Sequence, residues 1–430
     1  MTKINGKNLI IRNARVIDPA RNIDAVGDIG IMDGIFTDPA RVRDPETIDA
    51  SGLVAAPGFI DLHVHLRQPG NTAAETIATG TAAAAAGGFT SVVAMPNTTP
   101  ATDSVGTIEL LHRSIAMDAV VKVHLTGAMT KGLAGEEMSP IGSLANAGVV
   151  ALTDDGRCVQ NNDLMRHIVE YAKSFNLPIL DHCEEKNLMG SGVMHEGIWS
   201  LRLGVNPIPA MSESLIVARD ILLSRMLDWP IHIQHISCRD SIILLRDARK
   251  RGIKVTAEAT PHHIALTDEN VKWFDTSYKM NPPLRSEEDR LALIEALADG
   301  TVTAIATDHA PHTETAKQVE FDHAPFGIIG LETAIPVTYK ILVRSGVMSI
   351  SDWIRKFTVG PAEVLRWRDY SLADGNSADM TLIDPDCEFT IDPAGWRSKS
   401  RNSPFGGMTG CGRAAMTIVC GRVVYSASAD

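Results

Sequence analysis

Eight short apolar runs alternate with longer helix-like segments through the middle of the chain. In order, they are PGFIDLHVHL, FTSVVAMPN, VVKVHLTGAM, GVVALTDDG, LPILDHCEE, PIHIQHIS, KVTAEATPHH and TVTAIATDHAPH. This alternation is typical of βαβ units, whose parallel strands are buried on both faces and therefore read as continuous apolar runs. Eight units predict an α/β fold that closes into a (β/α)₈ TIM barrel. An open dinucleotide-binding sheet is disfavoured, because no GxGxxG follows the first strand.

Both ends of the chain have β character instead. NLIIRNARVID and DIGIMDG lie near the start, and ADMTLIDPD, CEFTID and AAMTIVCGRVVY lie near the end. The 430 residues also exceed a typical barrel of roughly 250. We therefore expect a small β-sandwich domain that both chain termini form together (residues 1–56 and 366–430), and a barrel domain at residues 57–365.

Composition narrows the function classes. The formal charge of −12 argues against nucleic acid as a partner, since binding to a phosphate backbone draws on clustered Lys and Arg. No run approaches the roughly 18 apolar residues of a membrane span, and the start lacks the apolar region of a signal peptide. The six cysteines are scattered and form no CxxC pair. These features predict a globular cytoplasmic protein with reduced thiols and no membrane contact.

Candidate metal ligands stand at the C-terminal ends of the predicted strands, the face at which barrel enzymes build active sites. His63 and His65 end the first strand, and alternate residues of a strand point to the same side, so both imidazoles can reach one metal. The fourth, fifth, sixth and eighth strands end in Asp155, His182, His235 and Asp308. This inventory predicts a binuclear site, with His63, His65 and Asp308 on one ion, His182 and His235 on the other, and Asp155 as the bridge.

The donor set favours zinc-dependent hydrolysis of an amide. Zinc with an open coordination position makes hydroxide available near neutral pH and polarises a carbonyl. A carboxylate beside the metal can take the proton of the attacking water and pass it to the leaving nitrogen, and Asp308 is the best-placed candidate. Other divalent ions also bind such ligands, so the sequence leaves the identity of the metal open.

Four more polar residues near these strand ends suit an anionic, amide-rich substrate. Arg67 follows the first strand, and its planar guanidinium matches a carboxylate. Asn97 and Asn281 can donate to and accept from a ureide, and His312 can add a donor to the carboxylate. Without the metal cluster, a surface Arg, loop-capping asparagines and a solvated His would be the preferred interpretation.

Eight other histidines are expected to have structural roles. His232 lies three residues before His235, and this spacing places the two side chains on opposite faces of a strand. We expect the same of His112, His124, His167, His195, His262, His263 and His323.

With these residues in place, the chain resembles the class I bacterial dihydroorotases of the amidohydrolase superfamily over nearly its whole length. The matching segments are FIDLHVHLRQPG, AMPNTTP, LTDDG, DHCEE, YKMNPPLR and ATDHAPH, while ADMTLID and GRVVY are features of the superfamily at large. The resemblance implies a zinc-dependent, reversible cyclisation of N-carbamoyl-L-aspartate to L-dihydroorotate, the third step of de novo pyrimidine (UMP) synthesis.

The resemblance also implies residue roles and partners. It assigns the six metal positions above to zinc, two ions per subunit, with Asp308 as the catalytic acid and base. It implies substrate contacts from His65, Arg67, Asn97, Asn281, His312, Phe326 and Gly327. The last two come from the resemblance alone, through APFGIIG. Among partners it implies a second copy of the chain, in a dimer, and aspartate transcarbamoylase.

Two departures bear on the alternatives. Many relatives in the wider superfamily bridge their metals with a carbamylated lysine, whereas Asp155 ends the fourth strand here. This difference disfavours a hydantoinase or an allantoinase, the nearest enzymatic alternatives. Gln68 replaces a Glu common in its motif. A non-catalytic relative that only scaffolds aspartate transcarbamoylase is the other alternative, and such a protein should have lost ligands that are all present here.

Overall fold

The computed structural model describes residues 8–427, which form eighteen strands and fourteen α-helices. The strands are β1 (Leu9–Asp18), β2 (Ile23–Met32), β3 (Ile35–Thr37), β4 (Glu46–Asp49), β5 (Val54–Pro57), β6 (Phe59–Val64), β7 (Phe89–Ala94), β8 (Lys122–Ala128), β9 (Ala151–Thr153), β10 (Ile179–Asp181), β11 (Met194–His195), β12 (Pro207–Ile208), β13 (Ile231–Ile233), β14 (Val255–Ala259), β15 (Ala304–Ile305), β16 (Met380–Thr390), β17 (Thr409–Val419) and β18 (Arg422–Ser426). The helices are α1 (Ile77–Ala86), α2 (Val105–Asp118), α3 (Ile141–Asn146), α4 (Asn162–Ser174), α5 (Lys186–Met189), α6 (Ile198–Leu203), α7 (Met211–Leu227), α8 (Arg239–Lys250), α9 (Pro261–Ala265), α10 (Glu287–Ala298), α11 (Glu314–Lys317), α12 (Ala334–Thr338), α13 (Ile350–Phe357) and α14 (Val359–Val364).

Eight strands form the barrel, in the order β6, β7, β8, β9, β10, β13, β14, β15. Every neighbouring pair is parallel, and the strands coincide with the eight apolar runs of the sequence. β6 and β7 are buried at every position, as expected for strands covered on both faces. Beyond the last strand, the N–H of His65 donates to the C=O of His309 at 2.8 Å and brings the first and last segments together. The predicted barrel is confirmed.

Strands from both ends of the chain form a second sheet. Its order is β18, β17, β16, β5, β1, β2, β3, with β4 beside β1. The two ends meet where β16 runs antiparallel to β5, with Met380 opposite Pro57. A separate apolar core that includes Leu9, Ile11 and Leu382 supports it. The prediction that strands near both ends of the chain pair into one β unit is thus confirmed. Residues 1–7 and 428–430, which the predicted domain also includes, lie outside the described part of the chain.

The helix-like segments of the sequence become α1, α4, α7, α8 and α10. Polar residues cap two of them: Asn161 accepts the N–H of Leu164 at the start of α4, and Ser286 accepts that of Asp289 in α10. The alanine-rich helix α1 packs tightly on the barrel, since a Cβ added at Gly80 would lie 2.6 Å from Leu66. Across the described residues, no helix is both long and apolar enough to cross a membrane.

Candidate metal centre and substrate pocket

The two histidines at the end of β6 present their Nε2 atoms to two carboxylates. His63 and His65 are buried, and their ring centroids are 5.3 Å apart. His63 Nε2 lies 3.1 Å from Asp155 Oδ1, and His65 Nε2 lies 3.0 Å from Asp308 Oδ1. The structure therefore brings the HxH pair together with both acidic residues expected beside it.

Asp155 occupies the middle of the cluster. Its Oδ1 lies 3.1 Å from His63 Nε2, 3.5 Å from His182 Nδ1 and 3.8 Å from His235 Nε2. Its Oδ2 lies 3.4 Å from His65 Nε2. One carboxylate thus faces four imidazoles from three strand ends, which is the placement that a bridging ligand requires.

His182 and His235 converge beside Oδ1 of Asp155. Nδ1 of His182 and Nε2 of His235 are only 2.9 Å apart, and both rings are buried. Two imidazole nitrogens that meet this closely beside a carboxylate form a natural chelating pair for a divalent ion.

The donor atoms themselves fit a metal. In each of two sets, the ligand atoms lie within 4.8 Å of one another. One set is His63, Asp155 and His235, and the other is His63, His65 and Asp308. Within the described residues, the buried Nε2 of His63 and Oδ1 of Asp155 have no hydrogen-bond partner. Buried polar atoms without a partner are costly, and a shared cation would satisfy both. Imidazole and carboxylate donors in this number suit zinc or a similar divalent ion.

Two hydrogen bonds fix the orientation of the HxH pair. Nδ1 of His63 lies 2.9 Å from Oε1 of Glu258, and Nδ1 of His65 lies 2.9 Å from Oδ1 of Asn97. Because carboxylate and amide oxygens accept, each Nδ1 carries the proton, and each Nε2 is left with a lone pair toward the cluster. His232, expected to be structural, supports this arrangement by contacting the other oxygen of Glu258.

The charges within the cluster favour ionised carboxylates. Burial opposes the ionisation of Asp308, but His63 and His65 outweigh it and hold the pKa of Asp308 below its usual range. Asp155 has a lowered pKa for the same reason, with His63 and His182 among the causes. Both carboxylates are therefore ionised and available as ligands.

A third group of residues of the kinds that bind metals forms an ion pair with an arginine instead. Asp181, Cys183 and Asp220 lie close together behind β10. The guanidinium of Arg219 occupies this position, with Nη2 2.7 Å from Asp181 Oδ2 and Nε 2.8 Å from Asp220 Oδ1. Arg219 already supplies the balancing positive charge, so the group resembles a buried ion pair more than a metal site. All six cysteines are free thiols, as the sequence predicted.

A cavity of about 210 Å³ opens beside the cluster. Every residue expected to contact substrate lines it: His65, Arg67, Asn97, Asn281, His312, Phe326 and Gly327. Asp155, His182, His235 and Asp308 also face it. The sequence-predicted metal and substrate residues therefore share one pocket, except that His63 lies behind it.

Arg67 supplies the positive charge of this pocket. Its Nε donates to the C=O of Pro311 at 3.0 Å, and its Nη2 lies 3.5 Å from Nε2 of His312. Neither partner is an acid. His312 Nε2 lies 2.8 Å from the C=O of Phe326, to which it donates. Burial and the neighbouring Arg67 lower the pKa of His312 to about 3, so the imidazole is a neutral donor.

Two asparagines and a glycine complete the walls. Asn97 is held by His65, and Nδ2 of Asn281 donates to Oε2 of Glu184 at 2.6 Å. Gly327 has φ +119°, and an added Cβ would lie 2.6 Å from Cβ of Ala310. Only glycine fits there without strain.

Sequence reasoning missed the residues that hold this site from behind, chiefly Glu258, Glu184 and Asn402. Glu258 carried the clearest signal, because a charged residue inside an apolar strand is costly to bury unless it is paired. No comparable pattern marks Asn402, which enters from the C-terminal β unit.

Comparison with known proteins gives a consistent result. Residues 52–241 match the family model described as Dihydro-orotase-like. Relatives named dihydroorotase from Syntrophotalea carbinolica and Pelotomaculum thermopropionicum are 46% and 48% identical over 424 and 419 residues. These alignments cover 98% and 97% of this chain, and 99% and 98% of the two relatives.

Solved structures show the shared fold. The L-hydantoinase (dihydropyrimidinase) of Arthrobacter aurescens superposes with a TM-score of 0.86 at 23% identity, over 98% of this chain and 96% of that one. A dihydropyrimidinase from Brevibacillus agri gives 0.85 at 22%, over 97% and 95%. Fold similarity at this identity does not choose among activities. The near-full-length relatives at almost half identity do define the family, and the chain belongs to the dihydroorotases, a family of cyclic amide hydrolases.

Proposed function

We propose that this chain is a zinc-dependent dihydroorotase, which interconverts N-carbamoyl-L-aspartate and L-dihydroorotate in de novo pyrimidine synthesis. The observation that carries the proposal is the contact of one carboxylate, Asp155, with four imidazoles at a rim that Arg67 and Asp308 share. Membership of the family supports the same substrate pair.

Two zinc ions per subunit are part of the proposal. His63, His65 and Asp308 would hold one ion, His182 and His235 the other, and Asp155 would bridge them. Three observations support this assignment: the close approach of the donor atoms of His63, His65 and Asp308, the 2.9 Å between His182 Nδ1 and His235 Nε2, and, among the described residues, the lack of a hydrogen-bond partner for Nε2 of His63. Zinc in such a site supplies Lewis acidity, which polarises a carbonyl and acidifies water.

Asp308 is the proposed proton carrier. In ring opening, water adds to the amide carbonyl carbon of the ring, and the bond from that carbon to the ring nitrogen breaks. Asp308 takes a proton from the water and delivers it to the leaving nitrogen, and closure reverses the transfer. Its place beside His65 at the edge of the pocket supports this role, and the carboxylate begins ring opening ionised.

The pocket walls would bind the rest of the substrate. We assign the substrate carboxylate to Arg67, with Asn97 beside it. His312 would also contact the carboxylate, sharing its single N–H between the carboxylate and the C=O of Phe326. Asn281, the backbone of Phe326 and Gly327, and the ring of His65 would contact the ureide. Among the described residues, the guanidinium of Arg67 hydrogen-bonds a backbone carbonyl and no carboxylate, which leaves it able to bind an acidic substrate in this narrow polar pocket.

Turnover in both directions tests the proposal. Purified, zinc-loaded protein should open L-dihydroorotate and close N-carbamoyl-L-aspartate, with closure favoured in acid because it consumes a proton. Hydantoin and allantoin, which lack the carboxylate, should be poor substrates. If the metal-loaded protein turns over neither dihydroorotate nor carbamoyl-aspartate, the assignment is wrong.

The proposal extends to organisation and partners. We place the domain boundaries at residues 56/57 and 365/366, and we assign the enzyme to the cytoplasm as a homodimer able to associate with aspartate transcarbamoylase. Size-exclusion chromatography with and without the transcarbamoylase tests the partners. Elution as a monomer would exclude the homodimer. Failure to co-elute with the transcarbamoylase would exclude that association.

A further inference from the structure

A residue of the C-terminal β unit lies directly behind the substrate pocket. Asn402, between β16 and β17, is 7% exposed. Its Nδ2 donates to the C=O of Ala310 and to the C=O of Gly327, each at 3.1 Å. Its Oδ1 accepts the N–H of His312 at 3.1 Å. A single amide therefore joins the two loops that form one wall of the pocket.

These loops carry the groups assigned to the substrate carboxylate. Between Ala310 and His312 lies Pro311, whose C=O accepts Nε of Arg67. The imidazole of His312 in turn donates to the C=O of Phe326, next to Gly327. A shift of either loop would therefore move the guanidinium and the imidazole together.

The segment before Asn402 is itself fixed to the barrel. Ser398 and the N–H of Lys399 donate to Glu75, and Ser400 donates to the barrel backbone at 2.7 Å. Glu332 accepts the N–H of Ser398 at 3.1 Å. Because several hydrogen bonds outside the two pocket loops hold this segment to the barrel, they help to fix the position of the Asn402 amide.

The three hydrogen bonds require an amide. A carboxylate at this position could accept from His312, but it would face two carbonyl oxygens without a proton to donate. An apolar side chain would leave two buried carbonyls and one N–H unpaired, and each buried unpaired group costs about 1–3 kcal/mol. Asparagine satisfies all three groups at once.

We propose that Asn402 is a positioning residue for substrate binding, through which the C-terminal β unit sets the arrangement of Arg67 and His312 in the barrel pocket. The inference rests on the proposed dihydroorotase function. Both parts of the chain would then shape the pocket, because Asn402 adds hydrogen bonds from the C-terminal β unit to loops that also bond each other directly.

The test is Asn402→Ala, with Asn402→Ser as a second variant that keeps a small polar group and folds more readily. The matched control is Asn206→Ala, an exposed asparagine whose Nδ2 bonds only Ser191. Zinc content and thermal unfolding establish that each variant is folded and loaded. KM for both substrates should rise at least about tenfold in Asn402→Ala, with a much smaller change in kcat, since loss of ground-state binding appears in KM.

Hydrogen exchange gives a readout that does not depend on turnover. The N–H of His312 should exchange faster in both Asn402 variants than in the wild type and the control. If the wild type turns over dihydroorotate but a folded, loaded Asn402→Ser variant keeps its KM and its exchange rate, this inference fails and the function stands. If the wild type is inactive on both substrates, the proposed function fails and this inference with it.

Discussion

Nδ1 of His63 lies 2.9 Å from Oε1 of Glu258, and both side chains are fully buried. The second oxygen of Glu258 lies 3.0 Å from Nε2 of His232. Burial opposes the ionisation of this carboxyl, yet the hydrogen bonds from His232 and His63 outweigh it and lower its pKa to about 2. An anionic acceptor therefore holds His63 in the tautomer whose Nε2 can bind a metal.

Replacing this acceptor should weaken metal binding. In Glu258→Gln, the amide still fills the space. However, its NH₂ cannot accept a hydrogen bond, so one of the two imidazoles that bond the carboxylate loses its acceptor. Zinc affinity should fall by about 10- to 100-fold, measured by competition with a chelator. Glu170→Gln is the matched control, because Glu170 also accepts from a histidine, His167, but at the surface. Equal affinities in the two variants would contradict the role of Glu258.

Asp308→Asn tests the proton carrier. The amide keeps the size of the carboxylate but cannot accept a proton, so kcat should fall by about 10²- to 10⁴-fold while KM changes little. Zinc must be quantified in the same samples, because Asp308 is also a proposed ligand and its loss is expected to lower occupancy. A variant that keeps wild-type kcat at any zinc content would remove Asp308 from the mechanism.

The residues at strand ends could be predicted because simple geometry constrains them. Alternate residues of β6 share a side, and the carboxyl ends of parallel strands share a rim, so His63, His65 and Asp308 had to lie close together. The same reasoning does not identify Glu258. It is 195 residues from His63 in sequence, and only the packing of β14 across the barrel shows which imidazole it meets.

The terminal β unit could likewise be predicted only in part. Strand-rich ends predicted that residues near Leu9 and Met380 would share one sheet, and they do. The contact of this unit with the substrate pocket could not be predicted, because Asn402 lies in an irregular segment without periodicity. The need for Gly327 was likewise hidden, since it arises from a backbone angle and from the approach of Ala310.

Arg67→Gln tests the recognition of the carboxylate. Glutamine keeps a polar side chain but loses the charge and the bidentate geometry, and a hydrogen bond to a charged group is worth about 1.5–3 kcal/mol. KM for both acidic substrates should therefore rise by about 10- to 100-fold, with kcat much less affected, in steady-state kinetics. Arg166→Gln, at the surface of α4, is the control. Unchanged KM in Arg67→Gln would place the substrate carboxylate elsewhere.

His124 should contribute to loss of stability in mild acid. Its ring lies 4.6 Å from that of Trp367, and burial, with the nearby Lys122, lowers its pKa from 6.5 to about 4. Between these two values the unfolded chain binds a proton that the folded chain does not, so the free energy of unfolding falls as pH drops from about 6.5 to about 4.

His124→Phe keeps a ring against Trp367 but removes this titration. Urea unfolding of metal-free protein at about pH 7 and about pH 5 should show a smaller fall in the midpoint for the variant than for the wild type. His112→Phe, at an exposed position, should behave as the wild type does. Equal falls in His124→Phe and wild type would show that His124 is protonated as readily in the folded chain as in the unfolded one, and would reject the buried, neutral state.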